Sequence, residues 1–272
     1  MDKRPVEIAV ISDVHLGTYG CRAKSLLNYL KSIDPSTLIL NGDIIDIWQF
    51  SKNYFPKSHM NVIRYILKLS NKGVPIYYIT GNHDELLRKF NGYNFGNIKI
   101  LNQLVLDVNN TKTLFFHGDV FDFSVNHIKW LAKLGGKCYD LLILLNTFVN
   151  YFSEKFTGKK ISLSKNIKNS VKKAVKFIND FENASINYGL NEQCGTVVCG
   201  HIHQPAIKNI KNENDEILYL NSGDWVENLT ALEFNKHQWT LHHHNDVVEL
   251  DLINEEEDNT EVQFLKEFKL QF

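Results

Sequence analysis

The chain has 272 residues, 43% of them hydrophobic, and a formal charge of −1 from 30 basic and 31 acidic side chains. This suits one large globular domain, or a domain with an insertion, and excludes a disordered or fibrous chain. The near-zero charge selects no polyanionic partner, and no run of about 18 apolar residues is present to span a membrane.

Several short apolar runs each end in a polar cluster. "EIAVISDVH" is the first, followed by "TLILNGDIID", "PIYYITGNHD", "TLFFHGD", "GTVVCGHIH" and "ILYLNSGDW". Their β-branched and aromatic residues predict buried strands. Between the first three lie helical patterns, "AKSLLNYLKSI" and "NVIRYILKLSNKG", the second closed by Gly73. Strand–helix alternation predicts an α/β fold, in which ligands collect at the carboxyl ends of the strands. Residues 124–193 read as a strand-free helical insertion, with a lysine-rich stretch from Lys155 to Lys176. The core would then be 1–123 and 194–272. "TALEFN" and "QWTLHHH" predict an antiparallel hairpin closing a second sheet. The four cysteines, Cys21, Cys138, Cys194 and Cys199, form no C-x-x-C pair and read as reduced thiols. With no apolar signal core in "MDKRPVEIAVISD", a cytoplasmic location is expected.

The chemistry-bearing residues are Asp13 and His15, Asp43, Asn82 and His83, His117, and His201 and His203. Taken singly, each is equally well a loop residue: in "TGNHDE", Gly and Asn suit a turn and Asp often begins a helix. Taken together at successive strand ends, so many ligands would repel or desolvate one another without a cation. Carboxylate, imidazole and amide oxygen without thiolate suit manganese, iron or catalytic zinc. Asp13-x-His15 and His201-x-His203 put each pair on one side of an extended segment. His242–His244 read as exposed strand residues, and His59, His127 and His237 as structural or surface residues.

"D13-V-H15", "G42-D43-x-x-D46", "G81-N82-H83-D84", "H117-G-D119" and "G200-H201-x-H203" resemble, in order, the signature of the calcineurin-like metallophosphoesterases. The resemblance implies a four-layer α-β-β-α sandwich with two divalent metal ions, manganese first among the candidates, with iron and zinc open. It implies that Asp13, His15, Asp43 and His203 hold one ion, that Asp43 bridges, and that Asn82, His117 and His201 complete the second. It makes His83 the group that protonates or stabilises the leaving oxygen. Asp46 is expected to support the site. Asp84 either orients His83 or caps the helix "ELLRKF", and Asp119 and Asp122 position substrate or cap.

Within the superfamily, "HGD" with Asp122, the insertion that follows it and "LNSGDW" resemble the UDP-2,3-diacylglucosamine diphosphatases of lipid A biosynthesis. Many of those have arginine at the position of His83. This resemblance implies a nucleotide-lipid substrate, an insertion that shelters acyl chains, and peripheral contact with the anionic inner face of the cytoplasmic membrane. Nucleic acid is not expected, since the lysines cluster in one insertion without interleaved aromatics. The competing readings are a soluble phosphodiesterase or phosphatase of the same fold acting on a nucleotide or phosphoprotein, and a metal-free protein-binding scaffold.

Overall fold

The computed structural model describes residues 3–47, 54–124, 163–211 and 216–245. The chain opens with β1 (Arg4–Ile11), α1 (Ala23–Ser32), β2 (Ile33–Asn41), α2 (Lys57–Asn71) and β3 (Ile76–Ile79). The carboxyl halves of β1 and β2 are buried without alternation. That is why they read as continuous apolar runs: a parallel strand covered on both faces has no solvent side.

After β3 come a 3-10 helix (Glu85–Phe90), β4 (Asn94–Phe95), β5 (Ile98–Leu101), β6 (Gln103–Val108), β7 (Thr111–Phe116) and a second 3-10 helix (Asp119–Ser124). Then follow α3 (Leu163–Asn191), β8 (Thr196–Cys199), β9 (Ala206–Lys211), β10 (Glu216–Asn221), β11 (Thr230–Asn235) and β12 (Gln238–His243).

The strands form two sheets, ordered β12-β11-β1-β2-β3-β5-β4 and β6-β7-β8-β10-β9. β1, β2 and β3 run parallel in the first, β7, β8 and β10 in the second. Three apolar layers separate four layers of structure. Leu26, Tyr29 and Leu30 of α1 and Val62, Ile66 and Leu69 of α2 pack on the first sheet. Val10, Ile39 and Ile79 meet Phe115, Val198 and Leu220 between the sheets. Phe181 and Ile186 of α3 cover Leu114, Val197 and Tyr219 of the second sheet. This is the α-β-β-α sandwich expected.

The terminal hairpin departs from expectation in its place. β11 pairs antiparallel with β1, so β11 and β12 extend the first sheet rather than the second. The reason is burial: β1 needs a neighbour on its free side, and β11, buried along nearly its whole length, supplies it. β4, β5 and β6 were not foreseen. β4 is two residues long, and β6 alternates exposed and half-buried positions, leaving no apolar run to detect.

Of the expected insertion, residues 163–191 are helical, while 125–162, including Trp130, Phe148, Tyr151, Phe152 and His127, lie outside the described residues. Cys21, Cys194 and Cys199 are free thiols. No helix among the described residues is long and apolar enough to cross a membrane.

Candidate metal centre

The three parallel strands of each sheet end at one shared edge, and cross-sheet hydrogen bonds hold those ends together. Asn41 Nδ2 at the end of β2 donates to Phe116 O at 3.1 Å, across the gap between the sheets. The His201 amide donates to Asp13 Oδ2 at 3.0 Å, and the Trp225 amide to Asp13 O at 3.1 Å. The two sheets therefore meet where the motifs lie.

The backbone there is unusual. Asp13, His15, Asp43, His201 and His203 all have left-handed φ, at 51°, 55°, 55°, 67° and 54°. Each such residue costs roughly 1–2 kcal/mol relative to the ordinary conformation. Strain of this kind persists where surrounding structure over-determines it, which is typical of functional sites.

The turned backbone points the side chains at one another. Ligand atoms of Asp13, His15 and His203 lie within 4.8 Å of each other, as do those of Asp43, His117 and His201 and those of His15, Asp43 and His83. His203 Nε2 is 3.3 Å from Asp13 Oδ1 and 3.4 Å from His15 Nε2. Asp43 belongs to two of the trios and is 2% exposed; Asp13 is fully buried. Two of the motif glycines make the fit possible. A Cβ on Gly81 would stand 2.2 Å from Asp43 Oδ1, and one on Gly42, itself at φ +86°, 2.3 Å from His117 Nδ1.

The electrostatics of the cluster set burial against pairing. Burial pushes the Asp13 carboxyl up, but His203 beside it outweighs this and holds it at about 2. For Asp43 burial is likewise overcome, chiefly by His117, and the carboxyl falls well below its usual range. Burial pulls His203 down, yet Asp13 raises it to about 9. His117 is also raised against burial, by Asp43. For His15 burial wins, leaving it at about 4 and neutral at physiological pH. Buried carboxylates thus retain protons on neighbouring imidazoles, a role that a cation would take over.

His117 gives the most direct test of fit. Its Nδ1 donates to Asn41 O at 3.0 Å. Its Nε2 is buried and makes no well-formed hydrogen bond, with Asp43 Oδ2 3.2 Å away. A backbone carbonyl on Nδ1 fixes the tautomer that leaves Nε2 as a ligand. Oxygen and imidazole donors without thiolate suit a borderline or hard divalent ion.

Around the trios, His83 Nδ1 is paired with Asp46 Oδ2 at 3.0 Å, and the His83 amide donates to Asp43 Oδ1 at 2.8 Å. Asp84 does neither of the things expected of it. It sits at the start of the 3-10 helix but makes no side-chain cap there. Its Oδ2 accepts from Tyr78 Oη at 2.6 Å and from the Ile44 amide at 3.0 Å, and its Oδ1 from the Gly81 amide at 2.6 Å. A fully buried carboxylate ties the β2 and β3 turns together, and Asp46 is the partner of His83. Asp119 pairs with Arg88 of the 3-10 helix. The Asp122 side chain lies outside the described residues. Asn82 is half-buried between Gly81 and His83.

Asp224 was not singled out from the sequence. It is fully buried, accepts from the Val226 amide at 2.8 Å, and lies 3.8 Å from His203 Nδ1. Its position inside "LNSGDW", already a strand-end cluster, was the available signal. Of the histidines set aside, His237 bonds Asn109 at the surface. His243 is exposed, but His242 and His244 are half-buried against Tyr29 and Trp225, with ring centroids 5.0 and 6.0 Å apart. That run therefore packs the hairpin more than expected.

A model of the calcineurin-like phosphoesterases matches residues 6–205. A UDP-2,3-diacylglucosamine hydrolase of Wigglesworthia glossinidia brevipalpis is 26% identical over 237 residues, covering 83% of this chain and 90% of that protein. The DNA double-strand break repair protein Mre11 of Methanococcus maripaludis is 28% identical over 210 residues, covering 75% of this chain and 50% of that protein. A solved archaeal phosphodiesterase covers 87% of this chain and 98% of its own, at 14% identity and a TM-score of 0.40.

Proposed function

The chain belongs to the calcineurin-like phosphoesterase family, and from that premise we propose that it hydrolyses the pyrophosphate of UDP-2,3-diacylglucosamine to UMP and 2,3-diacylglucosamine 1-phosphate. It is a metal-dependent phosphoester hydrolase. The observation that carries the substrate is the length of the match. The similarity to a hydrolase of that name runs over 90% of the relative, whereas Mre11 is matched over 50%.

In this reading Asp13, His15, Asp43 and His203 would hold one divalent ion, and Asp43, Asn82, His117 and His201 the other, with manganese the first candidate. Such ions supply Lewis acidity toward phosphate oxygens and lower the pKa of coordinated water. The protein's own part is charge, position and a proton. Asp43, which belongs to two of the trios, would be the carboxylate shared between the ions. Asp46 accepts the Nδ1 proton of His83, turning Nε2 inward to 3.9 Å from Asp43 Oδ2. From there His83 gives its proton to the leaving oxygen. Asp119, paired with Arg88, would help position the substrate.

Residues 124–193 form the insertion, whose apolar stretch shelters acyl chains. Each buried methylene contributes about 0.8 kcal/mol. Its lysines meet the anionic inner face of the cytoplasmic membrane, at about 1 kcal/mol per charge near the surface.

The test is release of UMP from UDP-2,3-diacylglucosamine in mild detergent with manganese, using Asp43→Asn as control. Rapid release that the variant lacks is the expected result. No release, with metal-dependent cleavage of a generic phosphodiester intact, would favour a soluble phosphodiesterase on the same fold. A chain that takes up no manganese would be a scaffold.

A further inference from the structure

Beside the candidate metal cluster, two segments distant in sequence contribute an aromatic pair with no part in the chemistry above. Tyr19 lies four positions after His15 and is 82% exposed. Its ring lies against that of Tyr54, eight positions after Asp46, with centroids 3.9 Å apart and planes 31° from parallel. At that exposure the outer face of the Tyr19 ring is open to a flat ligand.

The pair is held in place by a buried hub. The Gly17 amide donates to His59 Nδ1 at 2.9 Å, and His59 is 2% exposed. Tyr54 and Phe55 stand edge-on to the same imidazole, at 5.8 and 5.5 Å. Burial holds His59 at about 4, so its Nδ1 remains an acceptor at neutral pH. On the other side, the Thr18 amide and hydroxyl both donate to His15 O, at 3.1 and 2.9 Å. One histidine therefore anchors both tyrosine-bearing segments, and the first of them follows directly on His15. Four residues of extended chain reach about 14 Å at most, which bounds how far Tyr19 lies from His15.

We propose that Tyr19 and Tyr54 form a stacking platform for the base of a nucleoside-phosphate substrate whose phosphates occupy the metal cluster. The proposal rests on the nucleotide-lipid reading and deepens it. A π-face accepts any base, so the platform contributes affinity and orientation while leaving the choice of base to hydrogen bonds elsewhere.

Calorimetry on the manganese-loaded full chain tests it with UMP and ribose 5-phosphate, which differ in the base. UMP is expected to bind about tenfold more tightly. That preference should vanish in Tyr19→Leu and survive in Tyr19→Phe. Equal binding of the two ligands by the unmodified chain overturns the platform. An undiminished UMP preference in a Tyr19→Leu, Tyr54→Leu double variant does the same. If Tyr19→Leu instead loses binding to phosphatidylglycerol vesicles while keeping the UMP preference, the pair serves a membrane surface and the proposal fails. Release of UMP from UDP-2,3-diacylglucosamine by the unmodified manganese-loaded chain separates the two levels. Its presence with no UMP preference removes only the platform, and its absence removes the parent reading as well.

Discussion

Asp43 joins two of the ligand trios, and its environment explains why the glycines around it are glycines. Its Oδ1 already accepts the His83 amide at 2.8 Å, and a Cβ on Gly81 would stand 2.2 Å from the same atom. Gly81→Ala is therefore expected to destabilise the protein by about 1–3 kcal/mol, the usual cost of overpacking, and to lower its metal content; urea denaturation and elemental analysis report the two. Asp46 belongs to none of the ligand trios and pairs with His83. Asp46→Asn should lower kcat by about 10- to 100-fold while leaving bound manganese unchanged. A parallel loss of metal would show that Asp46 acts on the ions instead. These residues were legible as a set in the sequence, because motif and strand end coincide. The partner of His83 was not. Asp84 is its chain neighbour and Asp46 is 37 positions away, so only the folded backbone could choose between them.

The elements that carry the site differ in how plainly the sequence announces them. β1, β2, β3, β7, β8 and β10 are buried on both faces and so appear as apolar runs. β4 and β6 lie at edges and carry exposed residues, which erases that signal. α3 shows how a distant element supports the centre. Phe181, 4% exposed, lies where a Cβ on Gly118 would come within 2.6 Å of its ring, and its centroid is 6.1 Å from that of His201. Phe181→Ala should cost about 3–5 kcal/mol and weaken metal retention at the His117–His201 side; denaturation midpoints and manganese affinity measure both. Full stability loss with metal affinity unchanged would confine α3 to packing.

Across the whole molecule, the two sheets bring carboxylates and imidazoles together and leave their charge to be balanced by protons or by metal. The consequence for pH follows from the shifts. His203 is raised to about 9, so its contribution to stability is complete below about 6.5 and is lost as pH rises through 9. Asp13 is held at about 2, so its contribution is present above about 4 and is lost only as pH falls through 2. The metal-free protein should therefore lose stability between pH 7 and 9. Manganese should suppress that loss and release protons on binding, as thermal denaturation across pH and calorimetry in buffers of different ionisation enthalpy would show. The sequence by itself determined the fold class, the order of the motifs and the identity of the cluster residues, because burial on both faces and chemistry at strand ends are local properties written in consecutive positions. The tertiary structure alone decided which sheet the last hairpin extends, that Asp46 rather than Asp84 pairs with His83, that Asp224 lies beside His203, and that five of the cluster residues sit in left-handed backbone. Those depend on contacts between segments far apart in the chain, and no spacing along a sequence encodes them.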